Sequence, residues 1–210
     1  MESLDVLVSR LPEGAVTTEP QILRERAIDS WALALLRQVR GDDLPLPAAV
    51  VLPASTEDVA TVLAWASESK TAVIPRGTGS GVCGGAQAQK GSLVLDLSRM
   101  NKVTGLDLVS QTVDVQAGVR GDQLEDALAA EGLTVGHYPQ SAAISTVGGW
   151  IAASSAGQAS AGFGAIEDVL LGLTAVLPNA EILRCRRCRG RPPGRTCGGS
   201  WWGPRERSRW

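Results

Sequence analysis

The chain has 210 residues, 44% of them hydrophobic, and a formal net charge of −2. That length allows one domain, or two small units sharing a site, with enough chain to bury a real core. No apolar run reaches the roughly 18 residues of a membrane span, and the Met-Glu-Ser-Leu-Asp start lacks the basic region of a secretory signal, so a cytoplasmic location is expected by default.

Residues 1–46 read as a helical, peripheral segment. Leu4, Leu7 and Leu11, then Ile22, Leu23, Ala27, Trp31 and Leu35, recur at helical spacing, with Trp31 as a core anchor. From residue 47 strand and helix patterns alternate. Ala48–Leu52 reads as a short buried strand. Ser55-Thr-Glu-Asp58 has the form of a capping box, in which a hydroxyl and an acid three residues on satisfy free N–H groups reciprocally. The helix it opens turns Val59, Val62, Leu63 and Ala66 inward.

Thr71–Ile74 reads as a strand ending at Pro75. Directly after it comes Pro75-Arg-Gly-Thr-Gly-Ser-Gly-Val-Cys-Gly-Gly85, five glycines in eleven residues. Without a Cβ, glycine admits φ > 0 and lets a ligand approach the backbone. Successive N–H groups in such a loop form an anion-binding concavity. A phosphate cradle is therefore expected, against the alternative of a surface linker. Gly79-Ser-Gly-Val-Cys-Gly84 satisfies G-x-G-x-x-G, but a dinucleotide fingerprint needs a helix running on from it, and the next strand, Ser92–Asp96, leaves no room. No Gly-Lys-Ser/Thr follows, so the loop is not a Walker loop either.

Val113–Ala117 alternates with period two and reads as a strand, Gly118 and Gly121 punctuate, and Asp122–Ala130 reads as a helix with acids in its first turn, where they oppose the macrodipole. A second small-residue region runs from Pro139 to Gly164. Its near lack of large side chains means that backbones approach either one another or a flat ligand. Ser145 and Thr146, just ahead of Gly148 and Gly149, offer hydroxyls and N–H groups at an expected helix start, an anion site or tight packing. Asp168–Leu177 reads as one long strand, and Pro178–Ala180 turns it into a hairpin with Glu181–Leu183.

These landmarks in this order resemble the FAD-binding domain of the vanillyl-alcohol oxidase family, the PCMH-type flavoproteins. They are P-x-G-x-G-[ST] at Pro75–Ser80, L-x-L-D-L-S-x-M-N-K-V at Leu93–Val103, V-x-A-G at Val115–Gly118, P-x-S…S-T-V-G-G at Pro139–Gly149, and G-x-x-x-D-V-L-L-G-L-T-x-V-L-P at Gly164–Pro178. Within the family, G-H-x-P-x-S…S-T-V-G-G-W and G-x-I-E-D look closest to alkyldihydroxyacetonephosphate synthase, with glycolate and D-lactate dehydrogenases sharing a looser version. The resemblance implies an α+β fold of two subdomains, about 47–107 and 108–183, with FAD extended between them. It implies a flavin-dependent oxidoreductase or a synthase of that type, the alternative being a catalytically inactive flavin-binding remnant.

Carried over residue by residue, Pro75, Arg76, Gly77, Thr78, Gly79, Ser80, Gly81 and Val82 would hold the FAD pyrophosphate. Pro139, Gln140, Ser141, Ala142, Ile144, Ser145, Thr146, Gly148 and Gly149 would line the flavin and ribityl side, and Ala153, Ser154, Ser155 and Ala156 would lie along the cofactor. Some relatives attach flavin through a histidine in the first glycine loop; none is present here, so FAD is expected to be noncovalent. The single histidine, His137, occupies the G-H-x-P position and is expected to be structural, Cys83 is expected to be a small packing residue, and no side chain is a convincing catalytic acid or base.

Charge and cysteine change together after Leu183. Residues 1–183 hold 11 Lys and Arg against 21 Asp and Glu, whereas residues 184–210 hold 9 Arg against Glu206 alone. Cys83 is the one cysteine before that point, which argues for a reducing compartment without a disulfide framework. Family sequences would continue through G-S-E-G-T-L-G into a substrate-binding cap that supplies catalytic side chains; here Arg, Gly, Pro, Cys and Trp take over, as GC-rich DNA encodes when read out of frame. A frameshift near codon 184, with a disordered tail, is the expectation, and a small-molecule substrate would belong to the cap. Cys185-x-x-Cys188 with Cys197 makes no four-ligand zinc set, so no metal is expected. Arginines with tryptophans can contact phosphates and stack on bases, yet no nucleic-acid partner is expected.

Overall fold

The computed structural model describes residues 4–185. In chain order the elements are α1 (Leu4–Arg10), β1 (Val16–Thr17), α2 (Pro20–Ala27), α3 (Ala32–Arg40), β2 (Ala49–Val51), α4 (Thr56–Ser69), β3 (Val73–Arg76), β4 (Leu93–Asp96), β5 (Val103–Asp107), β6 (Thr112–Val115), α5 (Gly121–Ala129), α6 (Val147–Ala152), α7 (Ser160–Phe163), α8 (Ile166–Val169), β7 (Leu173–Val176) and β8 (Ile182–Cys185). The out-of-frame and disordered character expected of the tail falls on residues 186–210, outside the described ones; Arg184 and Cys185 belong to β8.

The first unit is built on a four-stranded sheet in the order β1-β2-β4-β3. β2, β4 and β3 run parallel, pairing Val50 and Ile74 with Val94, while β1 pairs antiparallel with β2. Period-two alternation sends successive side chains to opposite faces. Ala49, Val51, Leu93 and Leu95 face a core with Leu7 and Leu11 of the N-terminal segment and Val62, Trp65 and Ala66 of α4. Val50 and Val94 face a second core with Ala27, Ile28, Ala34 and Ala88. Apolar cover on both faces is what a parallel sheet requires. Helix α4 begins as its sequence implies: Ser55 Oγ accepts the Asp58 N–H at 3.1 Å, and the Asp58 carboxylate accepts the Ser55 N–H at 3.1 Å.

Two corrections concern this unit. Residues 1–46 are not peripheral: β1 is a strand of the sheet, and Leu7, Leu11 and Ala15 are core residues. A two-residue strand is too short to show a period, which is why β1 was not legible. Trp31 is half-buried against the second core rather than at its centre.

The second unit gathers Val119, Leu124, Leu128, Val147, Trp150 and Ile166 around α5 and α6. In the β5/β6 hairpin Asp107 pairs with Thr112, and Val113 and Val115 of β6 pack against the core of this second unit. The long strand expected over Asp168–Leu177 starts only at Leu173. Ahead of it Ile166–Val169 is a helical turn, whose acids, Glu167 and Asp168, favour a helix start. The closing hairpin is present, β7 pairing antiparallel with β8. Gly118 joins the units: its N–H donates to Met100 O at 2.8 Å, and a Cβ there would overlap Leu97 O. Among the described residues no helix is long and apolar enough to cross a membrane.

Candidate functional site

The glycine loop leaves the C-terminal end of β3, the crevice where parallel α/β sheets bind ligands. Its backbone polarity is sorted. Three carbonyls are held by protein: Gly79 O accepts the Ser30 N–H at 3.0 Å and the Ser30 hydroxyl at 3.2 Å, Thr78 O accepts Arg76 Nη2 at 3.4 Å, and Gly84 O accepts the Gln87 N–H at 3.3 Å. The N–H groups from Thr78 through Gly85 find no acceptor among the described residues. An unpaired backbone N–H is costly unless water or a ligand meets it, so this run of donors is suited to an anion.

Gly79 and Gly84 take φ values of +77° and +79°. A Cβ on Gly79 would overlap the Arg76 guanidinium, and one on Gly84 would lie 3.2 Å from the Trp31 ring. Trp31 thus backs the loop as well as the core. Arg76 is buried and donates from Nη1 to Ile28 O at 2.7 Å. Burial lowers its pKa, helped by the nearby Arg26 cation and opposed by Asp96 and Asp29; an arginine keeps its proton regardless. A positive charge therefore stands behind the donors.

The second small-residue region abuts this loop. Thr78 Oγ1 donates to Ile144 O at 2.5 Å, and a Cβ on Gly77 would overlap Thr146 Oγ1. Pro75–Val82 and Ile144–Thr146 are thereby brought together, and Val82 and Ile144 are exposed beside them. The expected anion site at the start of α6 is a different matter. Val147 N–H donates to Val119 O at 2.9 Å, Gly148 N–H to Ala117 O at 2.8 Å, and Gly149 N–H to Thr146 Oγ1 at 3.2 Å. A Cβ on Gly148 would lie 2.7 Å from that of Ala117, so at these positions small size serves packing.

The same holds for several hydroxyls. Trp150 Nε1 donates to Ser145 Oγ at 2.6 Å, and Ser145 Oγ donates to Ser141 O at 2.7 Å. Ser155 Oγ lies 3.2 Å from His137 Nε2. His137 is buried, its ring edge-on to Trp150 with centroids 5.0 Å apart. Burial holds its pKa below 6.5, with the Glu167 carboxylate partly opposing. Gln140, Ile144, Gly149, Ala153 and Ala156 remain exposed, while Pro139 is covered and Ala142 and Ser154 are half-buried. Cys83 is exposed, not a packing residue.

Sequence reasoning missed Asp29, Ser30 and Gln87. Asp29 is 3% exposed; its carboxylate accepts the Trp31 N–H at 3.1 Å, the Ala86 N–H at 3.3 Å and the Gln87 side-chain amide. An Asp-Ser dipeptide between helices carries no periodic signal. A cleft of about 500 Å³ lies away from the loop, between β1, α2 and the end of β4, and is lined by Ile22, Arg26, Asp96 and Arg99 among others.

The family described as FAD binding domain matches residues 47–186. An uncharacterized FAD-linked oxidoreductase, YgcU, of Escherichia coli (strain K12) is 37% identical over 193 residues, which is 91% of this chain and 40% of that protein. Glycolate oxidase subunit GlcD of Bacillus subtilis (strain 168) is 35% identical over 139 residues, 66% of this chain and 30% of that protein. A solved alkyldihydroxyacetonephosphate synthase superposes with a TM-score of 0.81 at 29% identity, covering 87% of this chain and 34% of that one. The chain thus spans 40% or less of the length of these proteins.

Proposed function

The chain belongs to the FAD binding domain family, and on that premise we propose that its glycine loop holds the pyrophosphate of a noncovalently bound FAD. The observation that carries this reading is the row of N–H groups from Thr78 to Gly85 without acceptors among the described residues, backed by the Arg76 cation. The fit is chemical as well as steric. A hydrogen bond to a charged acceptor contributes about 1.5–3 kcal/mol, so a few such donors can hold a diphosphate without a lysine. Gly77 and Gly79 let the loop lie directly against Thr146 and Arg76, since a Cβ at either would collide with them.

FAD, when bound, supplies two-electron redox chemistry. The chain's own residues bind and orient it. Arg76 and the loop donors fix the diphosphate, and the exposed residues of the second region, Gln140, Ile144, Gly149, Ala153 and Ala156, line the path for the rest of the cofactor. No histidine lies in the loop to form a covalent link, which supports noncovalent attachment. His137 supports the flavin side from within the core through Ser155 and Trp150.

The whole-protein activity that best suits these residues is a flavin-dependent oxidoreductase of small 2-hydroxy acids, in a reducing, cytoplasmic setting. The likeness to the FAD-linked oxidoreductase favours the oxidoreductase class, and that to glycolate oxidase subunit GlcD favours the substrate type. The alkyldihydroxyacetonephosphate-synthase type is the second reading, favoured by the superposition of TM-score 0.81. Titrating the protein with FAD and following flavin fluorescence tests the binding claim: saturable quenching is expected, and acid precipitation should release all flavin to the supernatant. Absence of quenching would remove the cofactor reading, and flavin retained in the pellet would contradict noncovalent attachment. Bleaching of bound flavin by a panel of 2-hydroxy acids separates the oxidoreductase from an inactive flavin-binding remnant.

A further inference from the structure

The geometry points to Ile28–Trp31 as a strap that positions the phosphate loop, with Asp29 as its positioning residue. This inference rests on the loop being the pyrophosphate cradle, and concerns how the cradle keeps its shape.

The strap is the turn between α2 and α3, distant in sequence from the loop it holds. Four contacts join them. Ile28 O accepts Arg76 Nη1 at 2.7 Å, Ser30 N–H and hydroxyl both donate to Gly79 O, and the Asp29 carboxylate accepts the N–H of Ala86, immediately after the last loop glycine, at 3.3 Å. Asp29 also takes the Gln87 side-chain amide and its own strap's Trp31 N–H. A Cβ on Gly81 would lie 3.8 Å from Asp29 Oδ2, so the carboxylate sits beneath the middle of the loop as well as at its end.

The consequence is directional. A glycine-rich loop can turn either edge of its peptide units outward, since glycine reaches both signs of φ. Holding Gly79 O against Ser30 turns the Ser80 N–H, in the same trans peptide unit, away from the strap. Holding the Ala86 N–H against Asp29 fixes the far end of the loop. A carboxylate aimed directly at a phosphate would repel it, but here its oxygens are occupied by Trp31, Ala86 and Gln87 donors, and the Arg76 guanidinium lies between strap and loop.

The test compares the full chain with Asp29→Ala, Asp29→Asn and, as a control far from the loop, Ser55→Ala. FAD affinity is read by fluorescence quenching, stability by thermal unfolding without FAD, and the loop anchor by hydrogen exchange at the Ser30 amide. Asp29→Ala is expected to weaken FAD binding about tenfold or more and to speed Ser30 exchange. Asp29→Asn, which keeps an acceptor and the volume, is expected to lose less, and it decides the matter should the alanine variant fail to fold. Ser55→Ala should lower the unfolding temperature while leaving FAD affinity at the wild-type value, which separates positioning from general stability. Wild-type FAD affinity and Ser30 exchange in folded Asp29 variants would overturn the strap. If the wild-type chain itself takes up no FAD, the cofactor reading fails alone; Ser30 exchange then decides the strap, acceleration supporting it and no change overturning it.

Discussion

At the scale of single residues, Gly79 and Gly91 make a matched pair. Both have φ near +77°, where a non-glycine residue costs about 1–3 kcal/mol. Gly91 has open space around the position of a Cβ, whereas Gly79 faces the Arg76 guanidinium. Gly91→Ala should therefore show only the backbone cost in urea unfolding. Gly79→Ala should cost more and should also displace the arginine, weakening FAD binding about tenfold or more; equal effects of the two substitutions would contradict the packing described. His137 gives a pH prediction. Its folded pKa lies below 6.5 because burial disfavours the cation, so the unfolded chain binds the extra proton first as pH falls. Its contribution is present above pH 6.5 and is lost on acidification toward the lower folded value. Unfolding midpoints should fall across that window in the wild type and less steeply in His137→Gln.

At the scale of elements, what was legible depended on whether a segment's own chemistry decides its structure. Strands β2 and β4 are apolar runs bounded by breakers, and the capping box at Ser55–Asp58 satisfies its donors locally, so each could be read directly, whereas β3 starts two residues after Thr71 and runs through Pro75 to Arg76, which pair with Leu95 and Asp96. Ser55→Ala should cost about 1 kcal/mol in chemical denaturation. Strand β1 and the α8 turn are decided by partners elsewhere. β1 exists because β2 offers an edge, and Ile166 is drawn into the core around Trp150. At the start of α6 the sequence left an anion site and tight packing both open, and the close approach of Ala117 and Val119 favours packing. Leu7 tests the revised view of the N-terminal segment. It is fully buried, so Leu7→Ala should destabilise by about 2–5 kcal/mol, where a peripheral helix would lose almost nothing.

At the scale of the whole molecule, the order of landmarks along the chain was enough to imply two α+β units and a flavin between them. The family match over residues 47–186 and the superposition with the synthase agree with the α+β fold and with the FAD-binding family. Much of the candidate site was legible because glycine marks the cradle in sequence. What holds the loop was not legible, because Asp29 and Ser30 lie 49 or more positions from the residues they hold and grip main-chain atoms that any residue carries. The central claim is that the loop amides bind the FAD diphosphate. It is tested most directly by following the amide proton shifts of Thr78 to Gly85 while FAD is added: we expect these amides to move downfield together, saturating with the flavin fluorescence, whereas FAD binding that leaves them unmoved would contradict the account.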